Sequence, residues 1–172
     1  ALLRLSAEGR IRRAAVVDLD VHQGNGTAAI LAGRAGLATF SMHQEDLYPL
    51  DGSGESAASD LDIGLPLGTS DEKYLKLLNG ALGPFLDERR PELVVYQAGV
   101  DCWEGDLLGG LSLTAEGIAG RDRALAEACV RRKIPLAVTL GGGYGERVGE
   151  TAVLHARTLE LAADIFGRYW GG

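Results

Sequence analysis

Four short runs of this chain are apolar almost without interruption. They are 14–20, 37–42, 93–98 and 135–140. A strand that faces solvent on one side alternates apolar and polar residues, because successive side chains point to opposite faces. These runs do not alternate, so each is expected to be covered on both faces. The segments between them carry helical spacing: 27–33, 70–88, 114–132 and 145 to about 169. Thr114 stands where an N-cap belongs, ahead of Ala115-Glu116-Gly117. A polar stretch from Asp51 to Asp60 separates the second run from the second helix and is too long for a simple connector. Strands alternating with helices predict an α/β fold, a doubly wound and mostly parallel sheet. At 172 residues one domain is expected.

Composition narrows the function classes. Seventeen lysines and arginines against twenty-four acidic residues leave a net charge of −7, which disfavours gripping a phosphate backbone. No apolar run is long enough to cross a membrane, so no membrane partner is expected. Cys102 and Cys129 form neither a CxxC pair nor a disulfide framework. With arginines and glutamate breaking up the first thirteen residues, no secretory leader is read there, and a cytoplasmic location is expected. Twenty-five glycines are about double ordinary usage, and they cluster at corners rather than in a low-complexity block.

In a parallel sheet, ligands gather beyond the carboxyl ends of the strands. The first run ends in Asp18-Leu19-Asp20-Val21-His22-Gln23-Gly24-Asn25-Gly26. In an extended segment Asp18, Asp20 and His22 share one face. Two carboxylates and an imidazole there suit a divalent cation such as zinc; the alternative is a pair of acids that cap the next helix and bind solvent. The third run ends at Gly99-Val100-Asp101-Cys102-Trp103-Glu104-Gly105-Asp106. Asp101 follows buried residues directly and needs a partner. Joined to Asp20 and His22, it would leave an open fourth position, the pattern of a catalytic metal. Asp106 is expected to order the loop 105–110, and Cys102 to be a buried, inert thiol. The fourth run ends at Gly141-Gly142-Gly143-Tyr144-Gly145. The glycines allow close backbone approach to a ligand. Tyr144 either donates to a developing oxyanion or packs a helix start.

These three motifs, in this order over about residues 14–160, resemble the zinc-dependent histone deacetylase superfamily, which includes acetylpolyamine amidohydrolase-like proteins. Gln23, Asn25 and Glu104-Gly105-Asp106 look most similar to its class IV branch. The resemblance implies an arginase/deacetylase-like sheet, incomplete at its N-terminal side. It implies that Asp20, His22 and Asp101 ligate Zn²⁺ and that Tyr144 polarises the substrate carbonyl. Asp18 matches an acid that supports a catalytic histidine. Ser41, with the carbonyls of Asp18, Asp20, His22 and Met42, resembles a potassium site. Gly142 and Gly143 resemble the wall of an acyl-lysine channel. The implied reaction is hydrolysis of the amide in an acetylated lysine peptide or protein, or in an acetylated polyamine.

One departure is large. The family's histidine pair has no match, since the only histidines are His22, His43 and His155. His43 is expected to be structural, and His155 to face solvent or helix packing. The chain is therefore expected to be the C-terminal portion of a single deacetylase domain, 1–172, inactive without the missing N-terminal portion of that domain. A truncated or degenerate non-catalytic domain, serving as a binding or structural piece, is the second reading. A manganese ureohydrolase of the arginase type fits less well, because its histidine stands between the two acids. A dinucleotide module would use Gly143 to Gly149, yet no strand follows to supply a ribose-binding acid.

Overall fold

The computed structural model describes residues 1–49 and 57–170. The chain order is α1 (Leu2–Ala7), β1 (Ala14–Asp18), α2 (Asn25–Leu31), β2 (Leu37–Gln44), β3 (Leu61–Leu65), α3 (Asp71–Arg89), β4 (Val94–Gln97), α4 (Ala115–Arg131), β5 (Leu136–Thr139) and α5 (Val148–Trp170). The strands form one sheet in the order β3-β2-β1-β4-β5, and every pairing is parallel. This is the doubly wound arrangement expected. The order reverses between β1 and β4, which opens a crevice at their carboxyl ends.

Both sheet faces are covered near the centre. Ala15, Val17, Val94 and Tyr96 point into the main core with Tyr74, Leu78, Leu82 and Leu86 of α3 and Ile118 and Leu125 of α4. Ala14 and Val16 point the other way, onto Leu2 of α1 and Leu31 of α2. Two-sided burial is why β1 and β2 are buried at every position. Cover thins towards β5, where Leu136 and Val138 pack inward while Ala137 and Thr139 are exposed.

Two elements lie outside the sequence reading. β3 is a half-buried edge strand whose sequence, Leu-Asp-Ile-Gly-Leu, alternates and so lacks the continuous apolar signal. It directly follows the stretch read as a polar loop, of which residues 51–56 lie outside the described residues. α1 is six residues long, with only Leu2 buried, too short for helical periodicity to register. Thr114 does cap α4: its hydroxyl accepts from the Gly117 N–H at 3.1 Å. It also donates to Asp71 at 2.7 Å, tying the starts of α3 and α4 together. The stretch from Gly143 to Gly149 runs into α5, and no strand follows it among the described residues. No described helix is long and apolar enough to cross a membrane.

The two faces of α3 give a direct test. Leu78 is fully buried and its neighbour Leu77 is 38% exposed. Leu78→Ala is expected to cost about 2–5 kcal/mol in urea unfolding, through lost transfer energy plus a residual cavity. Leu77→Ala is expected to stay within about 0.5 kcal/mol, as exposed substitutions do. Equal costs would mean that α3 does not seat on the sheet as described.

Candidate metal centre

The crevice between β1 and β4 holds Asp20, His22 and Asp101. One ligand atom from each lies within 4.8 Å of the others. Asp20 and His22 follow β1, and Asp101 follows β4, so the strand-order reversal brings them together. The local turns are built by the same side chains. Asp18 Oδ1 accepts from the Asp20 N–H at 3.1 Å, and Asp20 Oδ1 accepts from the His22 N–H at 2.9 Å. Asp101 Oδ1 accepts from the Val21 N–H at 2.8 Å, which stitches the two loops.

The spare atoms converge. His22 Nδ1 lies 3.0 Å from Asp20 Oδ1 and 3.2 Å from Asp101 Oδ2. Asp101 is fully buried, yet its Oδ2 has no hydrogen-bond partner. A buried carboxylate oxygen without a donor costs free energy unless a cation meets it. Burial, followed by repulsion from Asp20, pushes the Asp101 carboxyl well above the usual carboxylate range. Burial likewise lifts Asp18 to about 7, against the opposing pull of the Asp20 N–H. Two oxygen donors and one imidazole, with acids this strained toward protonation, fit a divalent cation of borderline hardness.

Glycines let the walls close in. A Cβ on Gly142, which has φ +65°, would overlap the Asp101 and Asp20 carboxylates. A Cβ on Gly99 would overlap the Asp20 carboxylate. Gly143, with φ +99°, packs against Thr151 and Val100. Both positive φ values favour glycine, and the close packing leaves no room for anything larger.

The remaining expected residues sit around this group. Ser41 pairs with Asp18 across the β1–β2 register and is buried; its hydroxyl oxygen accepts from the Gly24 N–H at 3.3 Å and lies 2.9 Å from His43 Nδ1. Met42 is buried in the core. His43, with Ser41 on one side and Asp62 3.9 Å away, is lowered in pKa chiefly by burial. Tyr144 is half-exposed, and what the structure fixes is its backbone. Its N–H donates to Asp106 Oδ2 at 2.5 Å. The other oxygen of Asp106 accepts from the N–H groups of Leu108 and Gly109, both at 2.8 Å, so this acid orders the loop and anchors Tyr144 together. Cys102 is buried, with its thiol pushed up to about 12 by desolvation.

One residue at the site differs from the sequence expectation. His155 does not face solvent: its Nε2 lies 3.1 Å from the Gly142 carbonyl, beneath the glycine loop, and its Nδ1 is buried without a partner. Its position on α5 opposite the strand ends is a tertiary fact with no local signal. Tyr48 sets its ring edge-on to His22, with centroids 6.0 Å apart.

Comparison with known proteins points to one family. The family model described as histone deacetylase domain matches residues 1–159. An uncharacterized protein of the cyanobacterium Picosynechococcus is 38% identical over 162 residues, covering 94% of this chain and 53% of that protein. Histone deacetylase 2 of Arabidopsis thaliana is 35% identical over 144 residues, covering 84% of this chain and 36% of that protein. The crystal structure of acetylpolyamine aminohydrolase from Burkholderia pseudomallei superposes with a TM-score of 0.77 at 21% identity, covering 93% of this chain and 47% of that one; at this identity the likeness speaks for the fold alone. The chain thus spans about half or less of the length of each relative. With a domain match across 1–159 and the Asp–His–Asp group at the β1–β4 crevice, the chain belongs to the histone deacetylase family.

Proposed function

We propose that this chain is the metal-binding half of a zinc-dependent amidohydrolase acting on acetylated lysine or a related acylated amine. The observation that carries the reading is the buried, unpartnered Asp101 Oδ2 aimed at Asp20 and His22. The name of a relative, histone deacetylase 2, supports the substrate class.

In this reading Asp20, His22 and Asp101 hold the ion and leave one side open to substrate. Bound there, zinc polarises an acyl carbonyl and acidifies water. Tyr144 donates a hydrogen bond to the carbonyl oxygen as it gains charge. Gly142 and Gly143 bring backbone against the acyl chain, where any side chain would collide with the acids or with Thr151. Asp18 holds the Asp20 turn through its N–H. Ser41, with the carbonyls of Asp18, Asp20, His22 and Met42, forms the proposed site for potassium, whose positive charge would offset the crowded acids.

A base for the attacking water is the missing part. His22 belongs to the ligand group, His43 bonds Ser41, and His155 bonds the Gly142 carbonyl. With His22 committed to the ligand group and the spare Nδ1 of His155 buried, this reading assigns none of the three histidines as the base. We therefore place the base in the part of the family's domain that this chain does not span. The same absence supports the second reading, a non-catalytic piece that binds metal or a partner without turnover.

Metal content tests the first half of the proposal. Mass spectrometry of the purified chain is expected to find about one zinc per chain, as three protein ligands and an open position imply. Asp101→Ala is expected to lose it. A folded chain without zinc overturns the zinc reading. Acetyl-lysine peptide hydrolysis tests the second half. The 172-residue chain is expected to turn over at background rate, and brisk hydrolysis would show that no outside base is needed. In the complete protein, Tyr144→Phe is expected to lower kcat by about 10²–10³-fold, the usual effect of removing one oxyanion donor, with zinc content unchanged. An unaltered kcat would remove Tyr144 from the reaction.

A further inference from the structure

Arg121 lies in α4 with no solvent exposure at all. A guanidinium buried this deeply needs a charged partner. Its Nε donates to Asp122 Oδ1 at 2.9 Å, and its Nη2 lies 2.9 Å from the same oxygen. Asp122 is held in turn from two other elements. The Tyr96 hydroxyl of β4 donates to Oδ1 at 2.5 Å, and the Thr158 hydroxyl of α5 donates to Oδ2 at 2.6 Å. The fork is therefore fixed in place by α4, β4 and α5 together.

The remaining nitrogen points away from that pair. Nη1 donates to the Gly99 carbonyl at 2.6 Å and the Leu19 carbonyl at 3.1 Å, and it lies 3.0 Å from Cys102 Sγ. Leu19 directly precedes Asp20, and Gly99 stands two residues before Asp101. The backbone ladder between β1 and β4 has just run out here, its last bond being Leu19 N–H to Gln97 O at 3.1 Å. One nitrogen thus takes over from the ladder at the point where the two ligand-bearing loops diverge. It also sets a positive charge close enough to Asp18 to pull that carboxyl downward against its burial.

We propose that Arg121 is a positioning residue for the metal centre: by clamping the Leu19 and Gly99 carbonyls it sets the separation of the Asp20 and Asp101 carboxylates. The proposal rests on the metal-centre reading above. Lysine cannot replace it, because a point donor on a flexible stem cannot serve Asp122 and two carbonyls at once.

Cobalt(II) titration of the full chain, followed by its visible spectrum, tests this. Arg121→Lys is expected to weaken cobalt binding about 10–100-fold, as loss of support behind metal ligands does, and to alter the spectrum. Tyr96→Phe and Thr158→Val disturb the same network but leave the carbonyl clamp, so they are expected to lower the Tm and keep the parent affinity. Should Arg121→Lys fail to fold, Asp122→Asn loosens the anchor of the clamp and is expected to weaken cobalt binding in the same direction. Parent affinity in the folded Arg121→Lys chain, or in Asp122→Asn when that variant stands in, overturns the proposal. Equal losses in Tyr96→Phe and Thr158→Val also overturn it, since they would mark general destabilisation. A parent chain that binds no cobalt overturns the metal reading and this proposal with it, whereas tight parent binding unmoved by Arg121→Lys overturns the clamp alone.

Discussion

Three carboxylates, those of Asp18, Asp20 and Asp101, crowd the carboxyl ends of two adjacent parallel strands, and two of them are buried. Like charges crowded in a crevice repel, and the two buried ones have lost most of their water. The surrounding structure is arranged around this conflict. Backbone N–H groups of Asp20, His22 and Val21 each feed one carboxylate oxygen. Arg121 brings a cation in from below. What stays uncompensated is Asp101 Oδ2, on the side facing His22. A cation bound there would convert the repulsion into coordination, which is the physical basis for reading the crevice as a metal centre.

The fold supplies this site through its strand order. With β1 and β4 adjacent and their helices on opposite faces, the loops after them turn apart and leave space between. The glycines at 99 and 142 fill that space with backbone alone, and the acids occupy the volume their side chains would have taken. Asp106 then joins the loop after β4 to the loop after β5 through the Tyr144 N–H. Three loops distant in sequence are held to one another by side-chain-to-backbone bonds, which leave little slack at the ligand atoms.

Much of this was legible from residues alone. Asp20, His22 and Asp101 were readable because strand periodicity and the position of acids after apolar runs are local properties. Asp106 and Cys102 were readable from their surroundings in the same loop. β3 was not, because an edge strand alternates and carries no continuous apolar run. His155 was not, because a histidine on a long amphipathic helix gives no sign of which loop it will meet. Arg121 was hidden most completely. An arginine in a helix is ordinarily solvent-facing, and only the meeting of α4 with two strand ends makes its burial affordable.

The sequence by itself determined the α/β class, the parallel and two-sided burial of the inner strands, and which acids follow which strands. These depend on side-chain polarity and period, which the chain carries at every position. The tertiary structure decided what no local pattern encodes. It set the order β3-β2-β1-β4-β5, the pairing of Asp101 with His22 across 79 residues of chain, and the buried Arg121–Asp122 pair behind them. Those contacts arise only when strands distant in sequence are placed side by side, because desolvation and Coulomb energy act through space and not along the chain.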